Sequence, residues 1–189
     1  MNPFTQSAEL ILGVAFGIYI LAVLLRFILQ WARADFYNPL SQFVVKITNP
    51  LLIPLRRVIP GWGGVDFAAV VLMVALKVIE LLLISTLQGL SFSPLLLVLT
   101  ALSSLIGLAV MTLIIIIFIS AILSWLGPHS PNPMVSLLHQ IADPVLRPFR
   151  RLVPNLGGID ISPIVAIISL QIFKIFADWS LNMLAVSLQ

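Results

Sequence analysis

Asn49-Pro-Leu-Leu-Ile-Pro-Leu-Arg-Arg-Val-Ile-Pro-Gly-Trp-Gly-Gly-Val-Asp66 returns 94 residues later, without a gap, as Asp143-Pro-Val-Leu-Arg-Pro-Phe-Arg-Arg-Leu-Val-Pro-Asn-Leu-Gly-Gly-Ile-Asp160. Nine of the eighteen positions are identical: the three prolines, the leucine at 52/146, both members of the Arg-Arg pair, both glycines and the closing aspartate. The match extends back to Trp31 and Trp125, with 13 of 36 positions shared and no insertion. The chain is therefore a tandem duplication, and a reading made in one half can be checked in the other.

Composition says where the two copies sit. The 189 residues are 60% hydrophobic and 9% charged, with a mean hydropathy of +1.15. A water-soluble domain is about 45–50% apolar and about 25% charged. Too little polar surface remains to cover a soluble globule, so the expected class is an all-α, polytopic helical membrane protein. The absence of cysteine rules out disulfides, thiolate metal sites and a cysteine nucleophile. Residues 1–9 lack the basic start of a secretory signal, so the first apolar run reads as a retained helix.

Working outward from the repeat, each half reads as span, amphipathic segment, span. The first repeat covers 1–94. Its first span is expected at about 10–31, about 33 Å as helix, enough for a hydrocarbon core of about 30 Å. Arg26, near its end, is expected to snorkel outward, and Trp31 suits the interfacial belt. The amphipathic stretch 38–60 follows. Leu40, Phe43, Val44 and Ile47 form one helical face that Ser41, Gln42 and Thr48 avoid. A second span is expected at about 66–87.

The second repeat covers 95–189. Its spans are expected at about 102–125 and 160–186, with the amphipathic segment at 132–154 and an apolar face of Met134, Leu137, Leu138 and Ile141. Residues 95–125 carry no charge, a run longer than one crossing. Residues 95–101 therefore read as an interfacial lead-in or an extension beyond the membrane. Asn38, Asn49, Asp66, Asn132, Asp143 and Asp160 are the expected helix caps, each of the Asn-Pro and Asp-Pro pairs starting a segment that its prolines keep short. Gly63-Gly64 and Gly157-Gly158 are expected to turn the chain into the following span.

Charge placement orients the chain. Eight Lys and Arg residues lie near or between the first and second spans and between the third and fourth. None lies in the N-terminal tail, in 88–94 or in the C-terminal tail. The positive-inside rule then puts both basic segments in the cytoplasm and both termini in the periplasm of a bacterial inner membrane. The halves share one orientation, as parallel repeats about an axis along the membrane normal, unlike the inverted repeats of many transporters.

The motif Asp-Pro-hydrophobic-Leu-Arg-Pro-Phe-Arg-Arg-Leu-hydrophobic-Pro, followed by Gly-Gly-Ile-Asp-hydrophobic-Ser-Pro-Ile, resembles the signature of the YggT family. The doubled arrangement resembles that family's longer proteobacterial members, over nearly the whole chain. The first copy departs from the pattern: Ile53 stands where the second has Arg147, and Ala68-Ala69 where the second has Ser162-Pro163. The resemblance implies a small integral membrane protein of bacteria or plastids. Its members are linked to osmotic-stress tolerance and potassium uptake, to the cell-division neighbourhood, to plastid nucleoid distribution and to haem attachment on a membrane cytochrome. No enzymatic activity comes with it.

Two groups of residues carry candidate chemistry. Arg56, Arg57, Arg147, Arg150 and Arg151 are candidates for binding anionic lipid or a partner, since a basic residue at an anionic surface contributes about 1 kcal/mol and arginine binds phosphate bidentately. The same residues also serve simply to fix orientation. Lys77, Glu80, Lys174 and Asp178 fall inside spans, where charge is costly and must find a partner. Lys77–Glu80 and Lys174–Asp178 have i, i+3 and i, i+4 spacing for pairing within one helix. Glu80 and Lys174 are also repeat equivalents of opposite sign, which predicts an interhelical pair if the halves close about a twofold axis.

No catalytic constellation, phosphate-cradling loop or metal motif is present. His129 reads as a loop residue and His139 as a residue on the polar side of an amphipathic helix, so neither a metal nor a cofactor is expected. The basic clusters lack interleaved aromatics, so no direct nucleic-acid binding is expected. Expected partners are the lipid bilayer, its anionic lipids in particular, a membrane or cytoplasmic protein, and further copies of the chain as a homo-oligomer. The leading function is a non-enzymatic membrane scaffold or assembly protein, with a transport-related role in osmotic or potassium homeostasis as the alternative.

Overall fold

The computed structural model describes residues 2–90, 93–126, 132–152 and 160–187. Six helices account for nearly all of them: α1 Pro3–Trp31, α2 Pro39–Val58, α3 Phe67–Gln88, α4 Pro94–Leu126, α5 Pro133–Leu152 and α6 Ser162–Ser187. α1, α3, α4 and α6 are each long and apolar enough to cross a membrane. The protein is thus an all-α polytopic membrane protein of two tandem repeats, α1–α3 and α4–α6. The expected Gly157-Gly158 turn, Pro154 and His129 lie outside the described residues, as does the side chain of Trp125.

Local chemistry explains the boundaries. Asn2, Asn38 and Asn132 accept the N–H of residue i+2 and place a proline at the first helical position, where its missing donor costs nothing. Asp66 accepts from Ala69 N–H at 3.2 Å and Asp160 from Ser162 N–H at 2.9 Å. Between α2 and α3, Trp62 and Val65 exchange both backbone hydrogen bonds around Gly63 (φ 63°) and Gly64 (φ 83°). Two successive positive φ values are what a tight turn demands and what glycine alone adopts without strain.

Three expectations are corrected. Asn49 and Asp143 cap nothing, because α2 runs unbroken through Pro50 and Pro54, and α5 through Pro144 and Pro148. Proline's fixed φ is itself helical, and what it removes is one backbone bond per site. A buried stripe offsets this: Ser41, Val44, Thr48 and Leu52 in α2, and Leu137, Ile141, Ala142 and Leu146 in α5. In α2 that stripe is not the apolar face read from the sequence. Leu40, Phe43 and Ile47 are exposed, and Ser41 and Thr48 face the protein. Residues facing lipid need to be apolar; Thr48 faces the buried Arg26 guanidinium, while Ser41 Oγ is buried without a hydrogen-bond partner among the described residues. Finally, of the two readings of 95–101 the separate lead-in gives way to the extension: Ser93 accepts from Leu96 N–H at 3.3 Å and α4 continues for 33 residues, about 50 Å, longer than one crossing.

Within each half the two spans pack on each other, α1 on α3 and α4 on α6, and the amphipathic helix packs across them. The halves meet chiefly through α3 on α4. They also meet at the ends of the amphipathic helices, where Asn38 Nδ2 donates to Pro133 O and Asp35 N–H to Gln140 Oε1, both at 2.7 Å. At the opposite ends of the spans, Gln88 Nε2 donates to Glu9 Oε1 at 3.1 Å, closing α1 against α3. Both basic segments therefore lie on one side, with the start of α1 and the end of α3 on the other.

Candidate functional site

The first arginine of each Arg-Arg pair is committed to the fold. Arg56 is ion-paired with Asp66, and its Nη2 also donates to Gln30 Oε1 at 3.2 Å. Arg150 Nε donates to Asp160 Oδ2 at 3.1 Å, and its Nη1 to Asp143 Oδ1 at 2.6 Å. The motif's closing aspartate thus caps the following span and clamps the last turn of the amphipathic helix. Asp66 is 2% exposed, whereas Arg150 and Asp160 are each more than 40% exposed. Partial burial opposes charge on both groups of the second pair, but their hydrogen bonds win. Ser162 and Arg150 hold the Asp160 carboxyl below its ordinary range, and Asp143 and Asp160 hold the Arg150 guanidinium above its own.

Arg57, Arg147 and Arg151 are exposed, with no ion pair or side-chain hydrogen bond among the described residues. Of the five candidate arginines, these three are free to meet something else. Arg33 is likewise exposed, at the end of α1.

Arg26 does not snorkel. It is 5% exposed, and its Nη1 donates to Thr48 Oγ1 at 2.8 Å, Asn49 Oδ1 at 2.7 Å and Val45 O at 3.2 Å. An intramembrane charge pairs with polar groups of the bundle when they are nearer than water, and Thr48-Asn49 of α2 supplies them. This anchor was missed in the sequence. Its signal was there: position 26 and its repeat equivalent Ser120 are both polar within apolar runs. In the second half Ser120 Oγ lies 2.7 Å from His139 Nδ1. A cavity of about 40 Å³ adjoins them, lined also by Ser124, Leu146 and Arg150.

The intramembrane charges pair within their own helices. Lys77 Nζ donates to Glu80 Oε1 at 2.9 Å, and Lys174 Nζ to Asp178 Oδ2 at 2.7 Å. Ser103 of α4 adds a bond to Asp178 Oδ1 at 2.7 Å. The expected Glu80–Lys174 pair is absent, because the halves do not close as a twofold that brings α3 against α6; α3 packs on α1, α2 and α4. Their equivalence survives in another form, each facing a glycine of the first span in its own repeat. Gly13 lines the cavity beside Glu80, and a Cβ on Gly107 would stand 3.3 Å from Lys174 Cε. Glu80 is 5% exposed, and its Oε2 is buried without a hydrogen-bond partner among the described residues. The cavity beside it, about 290 Å³, is lined by Gly13, Gly17, Ile20, Lys77, Ser104, Leu105 and Leu108. Among the described residues no group of three His, Asp or Glu side chains is placed to hold a metal ion.

The CCB3/YggT family model matches residues 5–87 and again 99–181, at the same spacing of 94 as the internal repeat. This chain belongs to the CCB3/YggT family. Its relatives include a Pseudomonas aeruginosa protein, 46% identical over 177 residues that cover 91% of this chain and 88% of that protein. YggT of Escherichia coli K12 is 38% identical, covering 92% of this chain and 88% of that protein. YlmG homolog protein 2, chloroplastic, of Arabidopsis thaliana is 40% identical over 58 residues, 31% of this chain and 23% of its own length. No solved structure matches. The internal repeat is thus the CCB3/YggT family unit occurring twice.

Proposed function

We propose that this CCB3/YggT family member is a non-enzymatic scaffold or assembly protein of the bacterial inner membrane. It presents basic Pro-Arg-Arg elements to the cytoplasmic leaflet or to a protein docked there, and both termini are periplasmic. One observation carries the reading: Arg56 and Arg150 are spent on Asp66 and Asp160, while Arg57, Arg147 and Arg151 are left exposed on the same side of the bundle. The clamp fixes the helix end, and the free arginines then project from a rigid platform. Eight cationic residues against none on the opposite ends supports the cytoplasmic placement of that side.

The test replaces Arg57, Arg147 and Arg151 with Gln, with orientation checked by cysteine accessibility at engineered positions. Loss of anionic-lipid or partner capture at unchanged orientation supports presentation. Unchanged capture assigns these arginines to orientation alone and sinks the reading.

A second reading, a transport-related role in osmotic or potassium homeostasis, is favoured by the Glu80 cavity. A buried carboxylate oxygen without a hydrogen-bond partner among the described residues, beside a cavity between the spans that Lys77 and Ser104 also line, is where a cation or proton would be met. Liposome flux that disappears in Glu80→Gln would select this reading over the scaffold.

A further inference from the structure

The two halves differ in their exposed basic residues, and two of the differences meet. In the second half Arg147 stands where the first has Ile53. In the first half Arg33 stands where the second has Gly127. Arg33 and Arg147 line one groove between the halves, about 440 Å³, together with Trp31, Gln140, Asp143 and Pro144. Neither arginine has an ion pair among the described residues, and Asp143 is engaged by Arg150.

Arg33 holds this position at a cost. Arg33 N–H donates to Gln30 O and Ala34 N–H to Leu29 O, the paired bonds of a cap that needs its central residue left-handed. Arg33 has φ 52°, a left-handed conformation in which a Cβ is strained and that glycine adopts freely. The equivalent position in the second half carries that glycine. An arginine kept where the backbone favours glycine points to a use for its side chain.

Depth identifies the occupant. Trp31 ends α1 where the span leaves the hydrocarbon, and its indole, 46% exposed, suits the headgroup level. Two unpaired guanidiniums beside an interfacial indole match a lipid phosphodiester, which each fork can hold bidentately.

We propose that the Arg33–Arg147 groove binds the headgroup phosphate of one anionic phospholipid, with its acyl chains alongside Trp31. The site belongs to the assembled pair of repeats, because each half supplies one arginine. It deepens the scaffold reading, on which it rests, by giving one of the presented arginines a specific ligand.

The experiment is native mass spectrometry of the delipidated full chain in detergent, titrated with phosphatidylglycerol, phosphatidylcholine or inorganic phosphate. One phosphatidylglycerol should be retained preferentially. Arg33→Gln/Arg147→Gln, both exposed positions, should lower that retention at least about tenfold, given about 1 kcal/mol per arginine. Lys46→Gln, an exposed cation that does not line the groove, should leave it unchanged. Equal retention of phosphatidylcholine, or displacement of the lipid by millimolar phosphate, overturns the headgroup assignment. Retention lost in Arg57→Gln/Arg151→Gln but kept in Arg33→Gln/Arg147→Gln overturns the groove and leaves the scaffold reading standing. Indifference of every variant, here and in partner capture, overturns both.

Discussion

Arg26 Nη1 donates to Thr48 Oγ1 at 2.8 Å, so a buried charge of the first span is bound by the amphipathic helix that crosses it. Val45 O and Asn49 Oδ1 complete the set of acceptors, and together they fix α2 at one height on α1. Removing the guanidinium would leave Asn49 and a cavity behind. Arg26→Ala is expected to cost about 3 kcal/mol, the scale for breaking a buried charged network from one side. Arg26→Lys should recover a large part, because all three acceptors converge on the single nitrogen Nη1 and an ammonium carries three donors. Thermal unfolding in detergent checks both, and wild-type stability in Arg26→Ala would show that α2 is held by its apolar contacts alone.

The Arg56–Asp66 and Arg150–Asp160 clamps are chemically the same pair at two depths of burial. Asp66 is almost fully covered, whereas both members of the second pair meet solvent. A double-mutant cycle of Arg56→Gln with Asp66→Asn should return a coupling of about 1–3 kcal/mol. The same cycle on Arg150 and Asp160 should return about 0–1 kcal/mol, as exposed pairs do. Equal couplings would mean that burial at Asp66 does not set the strength of the clamp.

Acid should act on the second clamp. The Asp160 carboxyl is held below its ordinary value of 3.8 in the folded chain. A depressed carboxyl contributes its full stability above the unfolded value and loses it as pH falls through the folded one. Unfolding curves taken from about pH 6 downward should therefore show a contribution that fades only below about pH 4. Asp160→Asn should flatten that part of the profile. Arg150, raised rather than lowered, stays charged throughout and contributes no slope of its own. A profile identical in wild type and Asp160→Asn would place the acid sensitivity elsewhere.

Much of this was legible in the chain itself. The duplication, the four spans, the Gly63-Gly64 turn and the Asn38, Asp66, Asn132 and Asp160 caps follow from periodicity and capping chemistry, which are local. What was not legible required knowing how one helix lies on another. Pro50 and Pro144 read as breaks, because a proline's cost is visible in sequence and the buried stripe that offsets it is not. Arg26 read as snorkelling, because its acceptors are about twenty residues away. Glu80 and Lys174 are equivalent by number yet do not meet, since a repeat fixes matching environments within each half and leaves the packing of the halves open. Nor does either half alone show the Arg33–Arg147 groove, whose two residues are 114 apart in sequence.

The Lys77–Glu80 pair separates the roles of charge and of neutrality inside the membrane. Lys77 Nζ satisfies Glu80 Oε1, and Oε2 stays buried and unpaired. Lys77→Met would leave an uncompensated carboxylate among apolar side chains, an expected loss of about 3–5 kcal/mol. Replacing both, as Lys77→Met/Glu80→Leu, removes the stranded charge together with its partner, so most of that loss should return, because an ion pair exchanged for apolar side chains of similar volume is often neutral. Unfolding of the two variants in detergent reads this directly. If the double variant is as unstable as Lys77→Met, the pair holds α3 through contacts other than charge. If it is stable, the pair is dispensable to the fold, and a buried carboxylate beside a membrane cavity has to be explained by what it meets there rather than by what it holds together.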